Sequence, residues 1–186
     1  MYLPETFISK RSEHGYPIWI IDMYMEIGFG RTVVGDLIYQ LKYAKNLKLS
    51  ERLEIILKHS MIQLSKFPDD ELSMRSIDAV VAVPRSPRSD NPLPPLISQT
   101  ASEVLGIPDW SENLTRIGTD GPAKVGNTVK ASMFRVETSL TNRRLLVVDD
   151  VYRSGSTMNG VMTSLALAGA QSIVGLCLAK ADRGMN

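Results

Sequence analysis

Apolar residues recur at Val33, Val34, Leu37, Ile38 and Leu41, the spacing of one face of an α-helix, so a helix is expected from Val33. Thr32 stands at its N-cap position, and Lys42 falls in its last turn, where a cation suits the helix dipole. A second helical pattern follows Ser50, with Leu53, Ile56, Leu57, Met61 and Leu64 on one face, and ends near Phe67-Pro68. His59 lies beside that face, as a packed or a half-exposed helix residue. The period then changes. Residues 77–83 are a short apolar run rich in β-branched side chains and stopped by Pro84, which reads as a strand buried on both faces. Residues 84–95 hold five prolines with Arg85, Arg88 and Asp90 between them; helical spacing resumes over 96–105 until Gly106 caps it.

Residues 116–133 contain Gly118, Gly121, Pro122 and Gly126 among polar side chains, too broken for a core element, and are expected to form a mobile loop. A turn at Thr141-Asn142-Arg143 leads into a strand over 144–148, a helix over 156–168 ended by Gly169, and a strand over 173–179. Strand, helix, polar loop, strand, helix, strand is the order that builds a mostly parallel sheet with helices on its faces, so the fold class is α/β. Ligands of such sheets bind beyond the carboxyl ends of the strands, here residues 84–88 and 149–157.

Composition narrows the picture. The 186 residues suit one domain with a substantial core. With 21 basic against 20 acidic side chains the charge gives no sign of a nucleic-acid partner. One cysteine, Cys177, lies in an apolar run and reads as a small buried hydrophobe; with only His14 and His59 beside it, no zinc-ligand spacing exists. No apolar stretch approaches the roughly 20 residues of a membrane helix. The N-terminus shows no basic region leading into an apolar block, so a cytoplasmic protein is expected.

The chemistry concentrates in residues 145–157, Leu-Leu-Val-Val-Asp-Asp-Val-Tyr-Arg-Ser-Gly-Ser-Thr. Asp149 and Asp150 end a buried strand, and paired carboxylates suit the two hydroxyls of a ribose 2′,3′-diol. Arg153, Ser154, Gly155, Ser156 and Thr157 open the next helix, where backbone N–H groups, hydroxyls and the positive end of the dipole suit a phosphate. A diol reader followed at once by a phosphate cradle describes a ribose 5-phosphate site. The plainer alternative is a helix capped by Ser154 or Ser156 behind two surface acids. Dinucleotide and Walker-type motifs are excluded: Gly28-Phe29-Gly30 has no third glycine at Val33, and no lysine follows a suitable glycine loop.

This block resembles the phosphoribosyl diphosphate signature of type I phosphoribosyltransferases, and over residues 28–181 the chain is similar to their ComF family. The likeness is carried by Leu37-Ile38-Tyr39-Gln40-Leu41-Lys42-Tyr43, by Val81-Ala82-Val83-Pro84-Arg85-Ser86-Pro87-Arg88, by the basic loop up to Phe134, and by the signature with its helix. The cysteine-rich zinc-binding segment of ComF proteins is missing, as is their arginine-rich stretch after Pro87. The resemblance implies one phosphoribosyltransferase-like domain over residues 1–186, with residues 1–30 as a hood. Trp19 and Tyr24 of that hood either stack a base or pack on the core, and Lys42 either reaches the site or is solvated.

The resemblance further implies binding of phosphoribosyl diphosphate or a related phosphorylated ribose. Arg85 and Ser86 would hold the diphosphate, with a cis peptide within or beside Arg85-Ser86. Arg116, Lys124 and Lys130 would belong to a loop that closes over it. Mg²⁺ would ride mainly on the ligand's own oxygens, with Asp149 and Asp150 reaching it through water. Two functions stay open: a transferase displacing diphosphate from C1 with a nitrogen nucleophile, and a non-catalytic sensor of this ligand or a nucleotide that works through a protein partner. A homodimer is also open. Arg153 stands where purine-salvage members of the superfamily carry an aspartate that hydrogen-bonds the purine.

Overall fold

A computed structural model describes residues 8–11, 15–66, 76–86, 89–117 and 131–181. Along the chain run β1 (Ile8–Arg11), β2 (Pro17–Met23), β3 (Met25–Glu26), β4 (Gly30–Arg31), α1 (Val33–Lys42), α2 (Ser50–Leu64) and β5 (Ala79–Ala82). They are followed by α3 (Leu93–Leu105), β6 (Leu114–Arg116), β7 (Phe134–Val136), β8 (Arg144–Tyr152), α4 (Ser156–Leu167) and β9 (Ser172–Lys180). The main sheet has the order β1-β2-β9-β8-β5; its last four strands are parallel and β1 is an antiparallel edge. This is an α/β fold with helices on both faces of a largely parallel sheet.

Alternation along the strands sorts the core into two layers. Trp19, Ile21, Val80, Leu146, Val148 and Leu176 face α1, α2 and α3, whereas Ile18, Ile20, Val81, Leu145, Val147 and Cys177 face α4. Both faces of β8 and β9 are thus buried, which is why their sequences read as unbroken apolar runs. The far edge of β5 is covered too, since Val80 N donates to Pro108 O at 3.0 Å and Trp110 N to Val80 O at 2.8 Å.

Helix α1 begins as its sequence implies, with Thr32 Oγ1 accepting from Gly35 N at 3.0 Å. Helix α3 starts earlier than its apolar period, at Leu93, because prolines are tolerated in a first turn whose N–H groups have no intrahelical acceptor. It ends at Gly106 in the left-handed conformation (φ 65°). The ends of the expected polar loop form a two-stranded ribbon, pairing Leu114 with Val136 and Arg116 with Phe134. Leu114 and Phe134 are buried on the α4 side, and that burial fixes the ribbon.

The hood expected of residues 1–30 needs correction. Pro17–Met23 is an inner strand of the main sheet, paired parallel to β9, and Trp19 is only 5% exposed. The run Ile18-Trp19-Ile20-Ile21 is buried on both faces of the sheet, Ile18 and Ile20 on the α4 side and Trp19 and Ile21 on the side of α1, α2 and α3. Trp19 therefore packs in the core and does not stack on a ligand. Among the described residues of this segment, the small β3–β4 hairpin stands off, with Ile27 and Phe29 at 84% and 88% exposure. Among the described residues no helix is long and apolar enough to cross a membrane.

Candidate phosphoribosyl site

Strand β8 runs past Val148 to Tyr152 because β9 continues to pair with it, Val151 opposite Ala179 and Tyr152 opposite Lys180. Asp149 and Asp150 are consequently held inside a hydrogen-bonded ladder, not in a loop after it. The chain then turns through Arg153, Ser154 and Gly155 into α4. Gly155 has φ +74°, a backbone angle that favours glycine, and a Cβ there would also displace the Tyr152 ring. Ser154 Oγ and Ser156 Oγ lie 2.9 Å apart, and Ser156 N donates to Ser154 Oγ at 3.4 Å. Gly155, at the N-cap, gives α4 no side-chain cap, so its first turn leaves N–H groups for a ligand beside the one that Ser156 donates to Ser154 Oγ.

These residues line one cleft of about 320 Å³. Asp149, Asp150, Arg153, Ser154, Gly155, Ser156 and Thr157 form one wall, while Arg85, Ser86, Ser89 and Asn91 form the other. The sequence-predicted ribose, 5′-phosphate and diphosphate residues are thus brought together. No cis peptide occurs among the described residues. Pro84-Arg85 and Arg85-Ser86 are trans, where a cis bond would cost about 3 kcal/mol and a trans chain already brings both residues to the cleft, and Ser86-Pro87 lies outside the described residues. Arg116 is not on the cleft. Pairing within the ribbon seats its guanidinium 5.7 Å from the Phe134 ring centroid instead. Lys124 and Lys130 lie outside the described residues.

The two acids have different surroundings. Asp150 is buried, and its Oδ2 accepts from Lys42 Nζ at 2.6 Å and from Asn91 Nδ2 at 2.8 Å, while Oδ1 accepts from Val151 N at 2.8 Å. Burial would lower the Lys42 ammonium, but the Asp150 carboxylate more than offsets it and holds the group above its ordinary value. Asp149 is half-buried at the cleft, with Oδ1 accepting from Asp150 N at 2.9 Å. Burial first, and then the neighbouring Asp150 charge, push its carboxyl well above the usual range. Cys177, opposite Asp149 on β9, is buried beside the cleft, and burial pushes its thiol up as well.

No family model matches the chain, and no curated protein matches it. Among solved structures, an adenine phosphoribosyltransferase is similar at a TM-score of 0.49 and 14% identity, over 96% of this chain and 86% of that one. The adenine phosphoribosyl transferase of Trypanosoma brucei, solved in complex with AMP, pyrophosphate and ribose-5-phosphate, aligns at a TM-score of 0.44 and 10% identity, over 96% and 77%. With both TM-scores below 0.5, the function has to be read from the cleft itself.

Sequence reasoning missed Asn91 and left Lys42 undecided. Asn91 carried one usable signal, an Asn immediately before Pro92 and two residues ahead of the start of α3, and its Oδ1 does accept from Leu93 N at 3.1 Å. Its contact with Asp150 depends on topology and leaves no local trace. A second cleft of about 310 Å³ lies back to back with the first, sharing Asp150, Val151 and Arg153 and bounded by Tyr24, Lys42 and Tyr43.

Proposed function

We propose that the protein binds phosphoribosyl diphosphate in the 320 Å³ cleft and displaces diphosphate from C1 with a nitrogen nucleophile. One observation carries this reading: acids at the end of β8, an uncapped hydroxyl-rich α4 N-terminus and the Arg85-Ser86 turn all line a single cleft. A ribose needs acceptors for its hydroxyls, a 5′-phosphate needs N–H and O–H donors, and a diphosphate needs cations and donors. Within the superfamily, the residue pattern favours an affiliation with ComF proteins.

The donors present fit Mg²⁺ as an ion carried by the ligand. Asp149 and Asp150 are hard oxygen ligands, yet no cluster of three metal-ligating side chains exists among the described residues. The two acids would hold the ion through water, and the ion would supply charge neutralisation at the departing diphosphate. Arg85 would add a cation at the same end of the cleft.

Titration calorimetry with the Mg²⁺ complex of phosphoribosyl diphosphate tests the reading. Saturable heat is expected, and an Asp149→Asn, Asp150→Asn double variant should lose it. Absence of heat at millimolar ligand, or binding unchanged in the double variant, overturns it.

A further inference from the structure

The two acids are committed to different degrees. A carboxylate offers about four lone-pair sites, and Asp150 has given three of them to Lys42, Asn91 and Val151. Its charge is also paired, because Lys42 forms an ion pair with it at 2.6 Å with both side chains largely removed from solvent. Asp149 lines the same cleft, and no ion pair among the described residues reaches it.

Asn91 joins more than a helix cap to this arrangement. It is 7% exposed, and while Oδ1 holds the head of α3, Nδ2 holds Asp150 and the backbone carbonyl accepts from Arg85 Nη1 at 3.3 Å. The wall that carries Arg85 and Ser86 is therefore tied to the wall that carries the acids. An anionic ligand entering between two uncompensated carboxylates would meet their combined repulsion. Pairing one of them with a lysine removes about half of that cost.

We propose that Lys42 and Asn91 are positioning residues for the ligand. They lock Asp150 as a charge-neutralised strut between α1, the loop before α3 and the end of β8, and they leave Asp149 as the acid that takes the ribose diol. The inference rests on the reading of the cleft as a phosphoribosyl diphosphate site.

Calorimetry with the Mg²⁺ complex of phosphoribosyl diphosphate, run on the full chain and its variants, tests it. Asp149→Asn should weaken binding most. Lys42→Met should weaken it about tenfold or more, because it strands a buried carboxylate, and Lys42→Arg, which keeps a cation, should recover most of that loss. Asn91→Asp keeps an acceptor for Leu93 N but replaces the donor facing Asp150 with a carboxylate, and should also cost about tenfold. In an Asp150→Asn background Lys42→Met should cost nothing further, since the lysine acts through that acid. Wild-type affinity in both Lys42→Met and Asn91→Asp, or losses that add in full to that of Asp150→Asn, would overturn the proposal while leaving the ligand assignment standing. A wild-type protein that binds no phosphoribosyl diphosphate would instead remove the assignment, and this inference with it.

Discussion

At the scale of single residues, adjacent acids on one strand carry opposite electrostatic loads. Asp150 is held by a lysine, whereas Asp149 is desolvated beside a like charge, and its carboxyl lies well above the ordinary value of 3.8. A group whose proton is held more tightly in the folded state stabilises the fold at low pH. That stabilisation is lost as pH rises from the unfolded value through the raised folded one. Asp149→Asn, which cannot ionise, should therefore melt close to wild type below about pH 4 and increasingly above it as pH rises. Paired thermal melts from pH 4 to 8 check this, and a difference that shrinks with pH would contradict the burial argument. The identity of both acids was legible in the sequence because two aspartates at the end of an apolar run are conspicuous. Their division of labour was not, because Lys42 and Asn91 reach Asp150 only through the packing of α1 and the loop before α3 onto the sheet.

At the scale of elements, the strongest constraint is the contact between α1 and the end of β2. A Cβ at Gly35 would overlap the Tyr24 carbonyl oxygen, so the helix approaches the backbone as closely as only glycine allows. Thr32 ties the same corner, its Oγ1 donating to Met23 O at 2.6 Å while it caps α1. Gly35→Ala should destabilise the protein by about 1–3 kcal/mol, the range of overpacking in a tight core. It should also weaken ligand binding, because α1 carries Lys42. Denaturant unfolding with ligand titration measures both, and an unchanged midpoint would show that the corner yields freely. The sequence indicated α1, α2, α4 and the strands β5, β8 and β9 from period and caps alone. It misjudged Pro17–Met23 because a short apolar run beside aromatic residues reads equally well as a detached segment. Its pairing with β9 is a long-range fact that no local pattern encodes. The same holds for the extension of β8 through both acids, which depends on β9 reaching Lys180.

At the scale of the whole molecule, two helical layers on a parallel sheet leave one end, the carboxyl ends of β8, β9 and β5, open for ligand. Because both walls of the cleft belong to the main fold, ligand binding and global stability should be linked. Phosphoribosyl diphosphate at about 100 times its Kd should add ~2.7 kcal/mol, a rise in Tm of about 5–10 °C for a chain of this length. The acceptor is constrained as well. Arg153 is exposed and borders both clefts, so under the proposed function whatever occupies the space beside the ribose meets a guanidinium. That guanidinium offers donors only, so it cannot accept a hydrogen bond from a purine ring N–H. Hypoxanthine, guanine and adenine should accordingly yield no nucleotide when incubated with the protein, Mg²⁺ and phosphoribosyl diphosphate, as followed by chromatography. The ligand alone should still raise the Tm. Turnover with any of the three would show that Arg153 does not set the acceptor and that the purine edge is read by another group at the cleft.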